Sequence, residues 1–199
     1  MRARRTQAER REATVGKLVQ ATIDSLAADG YARTSVAAIC RRAELSQGAL
    51  FRHFPTRLHL VAAATEAIAL RNVRTFETAF AEEVDLEVAV RFIRAATRTP
   101  QHAAWHEVMV AARTDPGLRD AVAGGLRRFE EAIVAIVDRV FGAQIADSGH
   151  AAVVLLTLMH AFDSEAVTVD VYPNPAIEEA RVAWAVSVLR QVLGLTHSG

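Results

Sequence analysis

The residues best suited to chemistry lie between Thr34 and His53, in the run TSVAAICRRAELSQGALFRH. Read as helices, this run leaves Gln47, Ala49, Arg52 and His53 as candidates for an outer face. Those groups suit reading a base edge better than breaking a bond. Arg can donate two hydrogen bonds to guanine and Gln can pair with adenine, each good pair discriminating by ~1–3 kcal/mol. His53 can reach a phosphate or a base. Elsewhere the chain offers no nucleophile motif, Gly-rich phosphate loop or paired-carboxylate motif, so catalysis has no support in the sequence.

Such a face needs helices to hold it. Two short amphipathic helices joined by the turn Ala43–Ser46 make a helix-turn-helix, the first bracing on the backbone and the second entering the major groove. Thr34 or Ser35 is the expected N-cap of the first, and the second is predicted from about Gln47 to Phe54. Val36, Ile39, Leu45, Leu50 and Phe54 can close a small core on an upstream helix whose apolar face carries Val15, Leu18, Val19, Thr22, Ile23 and Leu26. Thr6 and Glu9 offer that helix a capping box and Gly30 a stop. Arg57 opens the fourth helix, where the dipole disfavours a cation and a bound phosphate would reverse the sign. An N-terminal arm bearing Arg2, Arg4, Arg5, Arg10 and Arg11 adds salt-sensitive contacts without sequence preference.

From the first helix through GYARTSVAAICRRAELSQGALFRHFPTRLHL, the sequence resembles the DNA-binding domain of TetR/AcrR-type bacterial transcriptional regulators, most specifically over about residues 10–65. WHEVMVAARTDPGLRDAV resembles a stretch common in the second domain of many members. Glu44 stands where that family usually has Gly in the turn, Phe51 replaces the usual Tyr, and Arg57 replaces Lys. Motif and resemblance together nominate Thr34, Ser35, Gln47, Gly48, Ala49, Phe51, Arg52, His53 and Arg57 as the DNA-contacting set. The resemblance implies a homodimer formed by a four-helix bundle of the last two helices and their mates. It also implies a small-molecule effector that displaces the fourth helix and changes the spacing of the two recognition helices.

Composition fits this division. The chain has 199 residues, a formal net charge of zero and 51% hydrophobic residues, enough for a proper core. Neutrality is a sum of opposites: residues 1–60 hold eleven basic and five acidic side chains, and residues 61–199 twelve basic and eighteen acidic ones. One part suits a polyanion and the other should be kept off it. The single Cys40 excludes a disulfide framework and a Cys-based zinc site. The longest apolar run, Ala151–Met159, is too short to cross ~30 Å of hydrocarbon, so a cytoplasmic protein is expected.

The fold expected is all-α, with about nine helices: three in a DNA-binding domain over residues 1–56 and six in a ligand-binding and dimerisation domain over 57–199. Helices are predicted at Arg57–Ala81 and Asp85–Thr97, after Thr99–Pro100, from Pro116 to Phe141–Gly142, after Asp147 or Ser148, and from Asn174–Pro175 to near Gly194. Gly124 and Gly125 mark a candidate kink or break. In the last two helices Ala151–Met159, Phe162, Ile177, Val182, Trp184, Val186, Val188, Leu189, Val192 and Leu193 are apolar around too much of the circumference for one buried face. Candidates for an effector pocket are Phe76, Phe80, Phe92, His102, Trp105, His106, Met109, Phe129, His160 and Asp163. His102 and His106, four apart, have metal-ligand spacing but no third ligand in a local motif, so neither metal nor cofactor is expected. Two alternatives stay open: a DNA-binding regulator governed by its abundance or by a protein partner, and a helical enzyme with an incidental basic N-terminus.

Overall fold

A computed structural model describes residues 6–81, 85–145, 150–192 and 194, with the side chains of 137, 140–145, 150–152 and 155 outside that description. The described residues form nine α-helices and no strand: α1 (Gln7–Arg33), α2 (Val36–Ala43), α3 (Gln47–Phe51), α4 (Arg57–Ala79), α5 (Leu86–Thr97), α6 (Pro100–Ala112), α7 (Pro116–Ile145), α8 (His150–Thr168) and α9 (Pro175–Val192). The all-α expectation holds. Arg2, Arg4, Arg5, Asp147, Ser148 and Leu193 lie outside the described residues.

Local capping chemistry sets most of the starts. At α1 the Thr6 hydroxyl accepts from the Glu9 N–H at 3.2 Å and the Glu9 carboxylate accepts from the Thr6 N–H at 2.8 Å. Ser35, not Thr34, caps α2, accepting from Ala38 N–H, and Ser46 caps α3 by accepting from Ala49 N–H, both at 3.1 Å. Asp85, Asp115 and Asn174 do the same for α5, α7 and α9. Two helices differ from expectation. α3 stops at Phe51, three residues before Phe54, and α7 runs through Gly124–Gly125 without a break and on to Ile145, past Phe141–Gly142.

The described chain clusters into two compact units, one taking in the chain up to Arg71 with Pro100–Arg127, the other Asn72–Thr99 with the chain from Arg128. The first unit takes in α6 and the start of α7 beside α1, α2 and α3. Its core joins Leu18, Ile23 and Leu26 of α1, Ile39 of α2, Leu50 of α3, Leu60, Val61 and Ile68 of α4, Val108 of α6, and Leu118 and Val122 of α7. On α6, Ala104, Val108 and Ala112 recur every fourth residue as its buried face, and two of the three are small enough to admit a close neighbour. Cys40 is buried in this core, and burial pushes its thiol pKa up, so it acts as a small apolar residue.

The second unit has its own core, with Phe76 and Phe80 of α4, Leu86, Val90 and Ile93 of α5, Ile133 and Ile136 of α7, Leu158 and Phe162 of α8, and Val182, Val186 and Leu189 of α9. Beside it lies a charged cluster. Glu165 of α8, only 3% exposed, accepts from Arg94 at 2.6 Å, Arg98 at 2.5 Å and Arg181 at 2.7 Å. Arg94 and Arg98 also reach Glu178, at 2.7 and 2.9 Å, while the other oxygen of Glu178 accepts from Asn174 N–H. Three helices, α5, α8 and α9, are thereby tied by one carboxylate and its neighbours.

Burial alone would raise the Glu165 pKa, but the hydrogen bonds from Arg94, Arg181 and Arg98 outweigh it and hold the carboxyl below the ordinary glutamate range. Glu178 is held low by the Arg98 hydrogen bond. A carboxylate with a depressed folded-state pKa contributes stability that is fully present above its unfolded value and is lost as pH falls through the folded value. The contribution of Glu165 and Glu178 to stability should therefore be flat from neutrality down to about pH 5 and fall below it. Glu165→Ala should cost about 3 kcal/mol at pH 7, the low end of a broken buried pair because Arg98 and Arg181 can turn toward water. Its urea-unfolding profile should lose much of the acid-side dependence; an unchanged midpoint would remove Glu165 from the ledger.

Candidate nucleic-acid interface

The first-unit core buries Leu50 completely and so fixes which face of α3 points outward. Gln47, Gly48, Phe51 and Arg52 are exposed there, Phe51 to 49%, with Ala49 half-buried. Gln47 and Phe51 lie one turn apart, so an amide that can read adenine stands beside an apolar ring that can meet a thymine methyl. His53 follows α3 half-buried, its Nδ1 sealed from solvent without a hydrogen-bond partner. Arg10 and Arg11 sit exposed on the first turns of α1. α2 contributes exposed Arg41, while Arg42 is tied back to Ser25 and to Asp29.

The turn between α2 and α3 settles on an unfavourable conformation. Glu44 has φ 55° and ψ 43°, the left-handed region in which a Cβ is crowded by the backbone. Its N–H nevertheless closes α2 on Arg41 O, and Leu45 N–H bonds Cys40 O, so the turn keeps its geometry with a non-glycine residue.

Three members of the expected DNA-contacting set are engaged within the protein. Thr34 is fully buried and its hydroxyl donates to Gly30 O at 2.8 Å, so its side chain serves the end of α1. Ser35 is exposed, but its hydroxyl oxygen is engaged as the α2 cap. Arg57 is the most extensively engaged. Its Nε donates to Thr34 O, its Nη2 to Tyr31 O, and its guanidinium carbon stands 4.2 Å from the Tyr31 ring centroid. A cation in the first turn of α4 therefore needs no phosphate to be stable: the carbonyl end of α1, the negative end of that helix, meets it first.

The pocket candidates divide between the units. His102, Trp105, His106 and Met109 belong to the first, where Trp105 and Met109 pack against its core and the two histidine rings meet with centroids 4.9 Å apart. Phe76, Phe80, Phe92, Phe129, His160 and Asp163 belong to the second. There Phe76 and Phe80 stack at 6.0 Å and each meets Phe92 edge-on at 5.6 Å, so their area is filled by one another, with Phe129 packed on the same core. Asp163 is half-buried, and His160 is exposed on α8.

Residues 18–64 match a family model described as bacterial regulatory proteins, tetR family. Over 189 residues, 93% of this chain and 97% of the relative, the sequence is 35% identical to an uncharacterized HTH-type transcriptional regulator of Mycobacterium tuberculosis. Among solved structures, GusR of Salmonella enterica is similar in fold, with TM-score 0.69 and 21% identity over 92% of this chain and 96% of that one. The multidrug binding protein EbrR, solved with imidazole, is similar at TM-score 0.60 and 19% identity over 92% and 97%.

Replacing Glu44 by Gly should relieve the left-handed strain and, after the greater entropy of an unfolded glycine, leave a net gain of roughly 0.5–1 kcal/mol. Urea unfolding of Glu44→Gly measures it. A loss of stability would mean that the turn draws on the Glu44 side chain.

Proposed function

Because the chain belongs to the tetR family of bacterial regulatory proteins and is a DNA-binding transcriptional regulator, we propose that it acts as a homodimeric, effector-responsive repressor on a palindromic operator. The observation that carries this reading is the outward face of α3, where Gln47, Phe51 and Arg52 are presented together while Leu50 anchors the helix in the core. Gln47 and Arg52 read base edges, Phe51 and Ala49 meet apolar base surface, and His53, Arg10 and Arg11 approach phosphates. The remaining N–H groups of Arg57 can still reach a phosphate while the residue holds α1. Repression is the default consequence of a dimer occupying an operator in the path of polymerase.

Dimerisation has its own support. On α8, Val153, Thr157, His160, Ser164 and Val167 are all exposed on one stripe, and on α9 Ile177, Ala180 and Trp184 form another. Trp184 at 57% and Ile177 at 49% exposure are costly to leave in water, while Phe162, Val182, Val186 and Leu189, from the same apolar set, are already used inside the unit. The stripes suit the isologous contact of two copies, which would set two recognition helices ~34–36 Å apart. His160 then belongs to the dimer face rather than to an effector pocket.

An apolar or aromatic effector, with Phe92 and Phe129 at the edge of the second core as candidate contacts, would act through α4, whose residues are shared between the units. Favouring a mis-spaced dimer by ~1–3 kcal/mol is sufficient for release. The alternative of a regulator governed by abundance or a protein partner draws support from the way Phe76, Phe80 and Phe92 fill one another's space.

Footprinting on DNA flanking its own gene should show a protected palindrome at moderate salt, lost on adding an effector related to the neighbouring gene's product. No protected palindrome would overturn the operator reading; a palindrome that no small molecule releases would select the alternative. Arg52→Ala should weaken binding to the protected sequence about 10- to 100-fold and relax specificity at one position in each half-site. Unchanged affinity in a fluorescence-anisotropy titration would remove Arg52 from base readout.

A further inference from the structure

α1 is broken near its end. Gly30 has φ 76° and ψ 166°, a region closed to residues with a Cβ, and the ladder turns aside there before one last turn leads to Arg33. Displaced by that break, the Tyr31 N–H donates to the Glu107 carboxylate of α6 at 2.8 Å. A Cβ on Gly30 would stand 2.9 Å from the same Glu107 oxygen, so no other residue fits with the carboxylate in place. The carbonyls from the break to the cap of α1 are also met: Gly30 O by the Thr34 hydroxyl, Tyr31 O by the Thr34 N–H and Arg57, and Thr34 O by Arg57. All of these groups belong to the first unit, where α6 is the helix most extensively packed on α1.

From this junction we infer that Glu107 is a positioning residue for DNA recognition. It lies on α6, outside the stretch 18–64 that matches the family's DNA-binding model, and it sits neither on α2 nor on α3. Yet only Thr34 and Ser35 separate the last turn of α1 from α2, so the angle at the break sets the direction in which α2 and α3 leave. That angle is pinned on one side by Glu107 and on the other by Arg57, which starts α4. A shift of α6 relative to α1 reaches the break both through their apolar packing and through this charge-assisted hydrogen bond, which acts on the Tyr31 amide itself. Reach matters here more than charge, because the acceptor oxygen must meet one particular backbone N–H.

The inference rests on the reading that α2 and α3 engage DNA, and its test separates the two. Glu107→Gln keeps the length and an acceptor oxygen but loses the charge; Glu107→Asp keeps the charge but is one methylene short; Glu107→Ala loses both. Anisotropy titrations of each full-length variant, with the footprinted duplex and a scrambled duplex, read specific and non-specific affinity, and thermal unfolding reads the fold. Gln should bind the specific duplex as wild type does, while Asp and Ala should lose about tenfold in the specific-to-scrambled ratio, within the range of coupling between separate sites. Should Ala not fold, the Gln and Asp pair carries the test alone. Asp like wild type with Gln altered would show that charge, not position, is what Glu107 supplies and would overturn the inference, as would no change in any variant. Wild type failing to prefer the specific duplex would instead overturn the operator reading.

Discussion

The arrangement of the DNA-reading end depends on one residue without a side chain. At Gly30 the backbone of α1 takes a conformation that a Cβ would forbid, and the consequences fall into place around it. The Tyr31 amide loses its helical partner and the carbonyls of Gly30, Tyr31 and Thr34 close the helix end, and each finds a partner of the right kind: a carboxylate for the amide, a hydroxyl and a guanidinium for the carbonyls. Three helices, α1, α4 and α6, are joined by these bonds at the root of α2. Arg57 illustrates how context changes a local rule. On α4 alone it opposes the dipole; beside the carbonyl end of α1 it is among the most favourable residues that could stand there.

The second unit is built around a different polar constraint, and it reframes the charge asymmetry. Arg91, Arg94, Arg98 and Arg181 are matched by Glu87, Glu165, Glu178 and Glu179 in a balanced cluster on α5, α8 and α9. The acidic surplus beyond residue 60 is therefore carried by other side chains, among them exposed Glu77, Asp120, Glu130, Glu131, Asp138 and Asp170, where it repels a polyanion without being needed for the fold. The same charge pairing ties α8 to α9, the two helices that carry the exposed stripes with Trp184 and Ile177.

Much of the fold was legible because helix starts are written within three or four residues. Thr6 with Glu9, Ser46, Asp85, Asp115 and Asn174 each announce a helix by a bond to a near neighbour, and the apolar spacing of α1 and α2 names the core. Where the local signal is shared, as between Thr34 and Ser35, the choice is tertiary: Thr34 is drawn inward by Gly30 O. The outward face of α3 was readable only in part: Gln47 and Arg52 are exposed as expected once Leu50 is assigned to the core, but Ala49 and His53 are half-buried, and Gly48 and Phe51 stand out in their place. What could not be read is what spans sequence. Glu107 meets Tyr31 across 76 residues, and Arg94 meets Glu165 across 71. Each is an unremarkable charge on an amphipathic helix until packing brings its partner near. The pocket is illegible for another reason: aromatic residues at helical spacing announce burial, and Phe76, Phe80 and the half-buried Phe92 pack against each other, which residue type alone does not distinguish from packing against a ligand.

The claim that the α1 break is held shut from α6 is tested most directly by hydrogen exchange at a single backbone amide. Followed by NMR in the wild-type protein, the Tyr31 N–H should exchange at least ~100-fold more slowly than an unprotected amide, alongside the core amides of α1. Exchange of Tyr31 at the rate of an unprotected amide, with Leu26 and its neighbours still protected, would show the break to be open and would contradict the claim.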